Sequence, residues 1–185
     1  MKKVVLGLLV ASIFTACSSS STSESEETID VSEASAHNFD ITKTSLTWTA
    51  YKTPEKIGVP ATFDEITLSG NSFIINTKSV NSNNEIRDGK LVKYFFNNLS
   101  DSLITGSYGN VTDGVMPVTL KMNGIEKIVD FAVSVSDTAT ILSGTIDILS
   151  DFSGNAALEG IAEACKQLHL NKTWSDVNLQ VVELK

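Results

Sequence analysis

The sequence predicts an all-β fold, an antiparallel β-barrel of about eight strands with one amphipathic helix before the last strand. Three observations carry this. Short segments rich in β-branched and aromatic residues alternate apolar with polar positions; an Asn-Gly pair joins two such segments; and the clearest helical spacing is confined to Asn155 to Leu170. Strands with one dry face and few helices to cover their edges are best satisfied by closing the sheet on itself.

Taken in order, Leu46-Thr47-Trp48-Thr49-Ala50-Tyr51 alternates, with Leu46, Trp48 and Ala50 on one face. Residues 62–68 and 72–80 form a hairpin about the turn Ser69-Gly70-Asn71. After the polar break Ser82-Asn83-Asn84, residues 85–96 carry charge early and Leu91, Val92, Tyr94, Phe95 and Phe96 late. That pattern predicts a short helical turn ending in an aromatic plug.

Residues 115–122 and 125–135 flank Asn123-Gly124. Val118, Leu120 and Met122 share the dry face with Val129, Phe131, Val133 and Val135, while Thr119, Lys121, Asp130 and Ser134 face water. Pro117 has no N–H for the ladder and is expected near a strand start or on an edge. Residues 139–149 continue the meander with Leu142, Gly144, Ile146 and Ile148 inward, and 177–184 supply the last strand. In the helix, Leu158, Ile161, Cys165 and Leu168 make one stripe; Ser153 or Asn155 can cap its start, and Asn171 can end it in the left-handed conformation.

The N-terminus reads as an export signal. Lys2-Lys3, the apolar run 4–16, Cys17 and the serines at 18–21 follow the order of a secretory signal peptide, and a cysteine at the cleavage point resembles a bacterial lipobox. Thirteen apolar residues reach about 20 Å, short of a hydrocarbon core of about 30 Å. The expected organisation is a signal peptide at 1–16, a lipidated Cys17 with a disordered tether at 17–36, and one domain at 37–185. This places the protein in the cell envelope, on the periplasmic side of a membrane and in the outer membrane by expectation, attached through Cys17. The formal charge of −8 becomes −10 once Lys2 and Lys3 are removed. Such an acidic balance excludes nucleic acid as a partner and electrostatic docking on anionic headgroups. Cys165 is the only other thiol, so no internal disulfide is expected.

Three motifs carry a family resemblance. Asn84-Glu85-Ile86-Arg87-Asp88-Gly89-Lys90-Leu91 leading to Tyr94-Phe95-Phe96, then Val118-Thr119-Leu120 with Gly124-Ile125-Glu126-Lys127, then Asp151-Phe152-Ser153, resemble the successive signatures of the YceI-like family. The stretch from Ala164 to Val177 is similar to a lipoprotein branch of that family in Bacteroidetes-type bacteria. The resemblance spans residues 45–185. It implies an extended lipocalin-like β-barrel that holds a polyisoprenoid chain, with no catalytic residues. The sequence departs from many members at its first strand, and in carrying a helix at 155–170 where others have a loop.

The expected role is therefore binding or carriage of an isoprenoid or other long apolar ligand, not catalysis, with no cofactor other than a possible bound isoprenoid lipid. The alternative is a structural or interaction lipoprotein with a filled barrel. Residues expected against a lipid are Trp48, Phe63, Phe73, Ile75, Phe95, Phe96, Leu120, Phe131, Val133 and Ile146, each of which plain core packing also explains. Small residues at Ala50, Thr77 and Gly144 favour a tunnel. Arg87 and Asp88 either fix a polar head group near the mouth or pair with each other or a strand end. Cys165 and His169, at i and i+4, are half of a metal site or a buried thiol beside an amphipathic imidazole; the only other histidine is His37. Phosphate loops, nucleophile elbows and zinc-protease motifs are missing.

Overall fold

The computed structural model describes residues 37–185; the expected signal peptide, Cys17 and the tether lie outside the described residues. Ten antiparallel segments form one curled sheet. They are β1 (Thr44–Lys52), β2 (Ile57–Phe63), β3 (Ile66–Ser69), β4 (Ser72–Asn76), β5 (Val80–Asn81), β6 (Leu103–Tyr108), β7 (Val115–Met122), β8 (Ile125–Val135), β9 (Ala139–Asp147) and β10 (Thr173–Leu184). Two α-helices, α1 (Glu85–Tyr94) and α2 (Asn155–Ala164), and two single-turn 3₁₀ helices at Thr77–Ser79 and Phe96–Asn98 accompany the strands. The ladder order is β3-β4-β6-β7-β8-β9-β10-β1-β2-β5.

The curl follows from a kink. β2 and β3 are two halves of one strand, broken at Asp64-Glu65, where the Asp64 amide donates to the Ser79 carbonyl (2.9 Å) and the Glu65 amide to Ser79 Oγ (2.9 Å). The first strand of the ladder order is thus covalently continuous with the ninth, which brings the two ends of the sheet together. Expected as a single strand over 62–68, this region is split in two, and the two-residue β5 adds one more segment. That is why ten are found where about eight were expected. The hydrogen-bonded ladder itself ends at β3 and β5.

The β7–β8 hairpin has the expected register, with Met122 opposite Ile125, and both Asn123 (φ 53°) and Gly124 (φ 72°) take the left-handed values of a two-residue turn that matches strand twist. Pro117 sits third in β7, where its carbonyl accepts from Gly109 just past the end of the β6 ladder, so its missing N–H breaks no β6–β7 pair. Val135, the last residue of β8 and paired with Thr140 beside the β8–β9 turn, is exposed, against expectation.

Residues 85–94 form a complete helix and not only a turn. Asn84 Oδ1 accepts from the Arg87 amide (2.9 Å), satisfying one of the orphan donors at its start. α2 stops at Ala164, six residues earlier than its apolar spacing predicts, because the chain unwinds through turns to left-handed Leu170 and Asn171. No side chain caps α2. Its N-cap position is Gly154, where a Cβ would meet Ile148 Cγ2 at 2.6 Å. α1 and α2 meet where Gly160 passes the Tyr94 carbonyl, an approach that leaves a Cβ only 2.3 Å.

The register puts both helices at one end of the barrel. β1 runs from Thr44, opposite Glu183, to Lys52, opposite Thr173; α2 links the end of β9 to that same start of β10, and α1 contacts α2. Aromatic rings cluster at the opposite end. Phe39 packs on Tyr108 (centroids 4.4 Å), Phe73 on Tyr108 (5.1 Å), and His37 lies edge-on to Phe39 (4.3 Å). Among the described residues no helix is long and apolar enough to cross a membrane.

Candidate functional site: the barrel cavity

The barrel is hollow. A cavity of about 510 Å³ runs through it, lined overwhelmingly by apolar side chains, a volume within the range typical of small-molecule sites. Alternation on β1 turns Thr44, Leu46, Trp48 and Ala50 toward it, and Lys52 stands at its helical end. Eight residue steps of strand correspond to a lining about 26 Å long.

Trp48, Phe63, Phe73, Ile75, Phe95, Phe96, Leu120, Phe131 and Ile146 all line the cavity. Val133 does not; opposite Leu142 on the β8–β9 ladder, it is half-buried and packs on the core away from the lumen. Gly144 and Thr77 do not open a tunnel as expected. A Cβ on Gly144 would lie 2.9 Å from three carbons of the Phe131 ring, so that ring occupies the space, and Thr77 is buried with its hydroxyl donating to the Ser102 carbonyl (2.8 Å). Gly106 does the same for Phe73, directly opposite on β4, whose ring carbon would lie 2.4 Å from a Cβ there. Both rings recline over a glycine against the barrel wall, and the lumen between them stays open.

Polar lining is sparse. Trp48 Nε1 and Thr44 Oγ1 are buried without a hydrogen-bond partner among the described residues, both on cavity-lining residues of β1. Trp174 differs: its Nε1 donates to the Thr53 carbonyl (2.8 Å), and Lys172 and Lys56 stand over its ring at 4.3 and 4.9 Å.

At the helical end the lining becomes basic. Lys52 closes β1, Arg87 and Lys90 are one turn apart on α1, and His169 follows α2 with Nδ1 2.9 Å from Thr173 Oγ1. Burial first, then the charges of Lys52 and Lys90, hold the His169 imidazole below its usual 6.5. The Arg87-Asp88 pair is divided. Asp88 accepts from the Ser82 amide (3.0 Å) and hydroxyl, tying the entry of α1, while Arg87 joins the cavity lining. Ile86 and Leu168 are 77 % and 66 % exposed at this rim. At the aromatic end burial pushes the Tyr108 phenol up to about 12.

Cys165 is buried on the cavity wall beside His169, and no group of three metal-ligating side chains occurs among the described residues. Sequence reasoning missed Lys52 and Lys90 as cavity residues, since nothing in local spacing brings them together.

With this geometry in view, two solved structures are similar over nearly their whole length. A polyisoprenoid binding domain from Saccharophagus degradans, implicated in plant cell wall breakdown, matches 81 % of this chain and 99 % of its own, at 19 % identity and a TM-score of 0.58. BcnA from Burkholderia cenocepacia matches 80 % and 99 %, at 11 % identity and a TM-score of 0.53. What is shared is the fold. A Campylobacter jejuni YCEI protein is similar over 69 % of this chain and 84 % of its own, at 20 % identity and a TM-score of 0.45. No protein-family model and no curated protein matches the sequence.

Proposed function

We propose that this chain is a YceI-like barrel that binds one long apolar molecule, an isoprenoid or a chain of similar shape, and carries it without transforming it. The observation that carries this reading is the elongated apolar cavity of about 510 Å³. Each methylene-sized group moved from water into such a lumen contributes roughly 0.8 kcal/mol, less the cost of ordering the chain. The fold it shares with a domain described as polyisoprenoid binding supports the choice of ligand class. The scaffold alternative requires a filled interior, and the cavity favours the carrier reading over it.

In this reading Cys17 is lipidated and tethers the carrier through residues 18–36 to the periplasmic side of a membrane, the outer membrane by preference, so that cargo is released close to where it is taken up. Apolar extraction of the purified full-length protein, followed by mass spectrometry, is expected to recover a stoichiometric lipid. Recovery of none, together with failure to take up a C20 isoprenoid alcohol, would refute carriage. Separately, Cys17→Ser is expected to move the protein from the membrane fraction to the soluble one; unchanged fractionation would remove the anchor from the proposal.

A further inference from the structure

The charged side chains that line the cavity are all basic. Lys52, Arg87 and Lys90 line it beside the His169 imidazole, and no aspartate or glutamate does. Across the chain the bias is opposite, 22 acidic residues against 14 Lys and Arg, so a charge-blind surface would place more carboxylates than cations there. The carboxylates of neighbouring elements are engaged elsewhere or point away. Asp88 holds Ser82, Asp176 pairs with Lys56 at 2.7 Å, Glu163 pairs with Lys166 at 3.3 Å, and Glu85 and Glu159 are exposed outside the cavity. Among the described residues, Lys52, Arg87 and Lys90 form no ion pair.

These cations come from two elements, β1 and α1, and reach the same end of one apolar lumen. Gathering like charges beside a low-dielectric interior costs stability, and an anion arriving among them relieves that repulsion. Arg87 adds a planar fork suited to two oxygens of one carboxylate or phosphate. Resting on the reading of the cavity as a chain-binding site, we infer that its cargo is an amphiphile with an anionic head, a carboxylate or phosphate on the end of the apolar chain, seated against Lys52, Arg87 and Lys90 while the tail fills the barrel.

The test compares three probes on the full-length protein, by titration calorimetry at low and high salt: geranylgeranyl monophosphate, geranylgeraniol and inorganic phosphate. The monophosphate is expected to bind at least tenfold tighter than the alcohol at low salt, with the advantage shrinking as salt is added. Inorganic phosphate is expected not to compete. The combined replacement Lys52→Gln, Arg87→Gln and Lys90→Gln is expected to abolish the advantage while alcohol binding, which also reports a folded barrel, is still detected. If the triple replacement loses the alcohol too, the single replacements read the same ratio.

Equal affinity of wild type for monophosphate and alcohol overturns the anionic head and leaves the cavity reading standing. Binding of neither overturns the cavity reading itself. Inorganic phosphate competing as strongly as the monophosphate shows a free-anion site and overturns the amphiphile. An advantage that survives the replacements overturns the assignment to these three residues.

Discussion

Gly106 and Gly144 make room for a phenylalanine ring apiece, yet the two sites differ in what surrounds them. A Cβ on Gly106 would lie 2.1 Å from the Thr119 carbonyl oxygen as well as 2.4 Å from the Phe73 ring. The three atoms nearest a Cβ on Gly144 all belong to the Phe131 ring, at 2.9 Å. Backbone paired into a ladder has nowhere to go, whereas a ring beside an open lumen has. The β4–β6–β7 wall is therefore fixed by main chain, and the β8–β9 wall is set by a side chain that can swing.

The largest effect tests the fixed side. Gly106→Ala is expected to cost about 3 kcal/mol, at the upper end of overpacking penalties, because the β6–β7 pair must separate to admit the methyl group. A urea midpoint close to that of wild type would show that this wall yields after all. Gly144→Ala is expected to cost less than half as much in stability and instead to push Phe131 into the lumen. Affinity for geranylgeraniol then falls by about tenfold, equivalent to 1.4 kcal/mol. Adding Phe131→Leu is expected to restore it. Equal destabilisation by the two glycine replacements, or no rescue by the leucine, breaks the contrast.

The tryptophans repeat the division between a fixed and a free group at smaller scale. Trp174→Phe strands the Thr53 carbonyl that now accepts at 2.8 Å and is expected to cost about 1 to 2 kcal/mol. Trp48→Phe removes a donor that has no partner among the described residues and trims a side chain that already borders a void, so its cost is expected to be lower. Thermal unfolding of the two variants ranks them. The reverse order would mean that the Trp48 indole finds an acceptor in the folded protein.

The same physics decides what was legible in the sequence. The β7–β8 hairpin could be read because Asn123-Gly124 fixes the turn and the residues from Val118 to Met122 alternate apolar with polar. β6 could not. Its inward positions are Ile104, Gly106 and Tyr108, and the glycine that seats Phe73 erases the apolar signal midway. The kink at Asp64-Glu65 depends on Ser79, fourteen residues on, and leaves no local mark beyond two adjacent acids. Leu168 continues the apolar spacing of α2 but stands exposed at the rim, so periodicity overran the helix. The hollow was inferred from small residues, two of which prove filled, while the large apolar residues read from strand alternation face the cavity except Val133. The basic rim joins β1 to α1 across 35 residues, and only the fold brings them to one opening.

The smallest effect concerns the rim. In the folded chain the His169 imidazole lies below 6.5, chiefly through burial and secondarily through Lys52 and Lys90. On acidification the unfolded chain takes up this proton first. The contribution is therefore fully present above 6.5 and is lost as pH falls from there toward the folded value. Asp147, held low mainly by the Ser175 hydroxyl, loses its contribution only as pH falls below 3.8, outside this window. His169→Gln is expected to flatten the fall in thermal midpoint between pH 6.5 and 5. The change is modest because the ring is partly exposed and solvent screens it. A slope identical to that of wild type would mean that the imidazole meets water freely and that the two lysines do not crowd it.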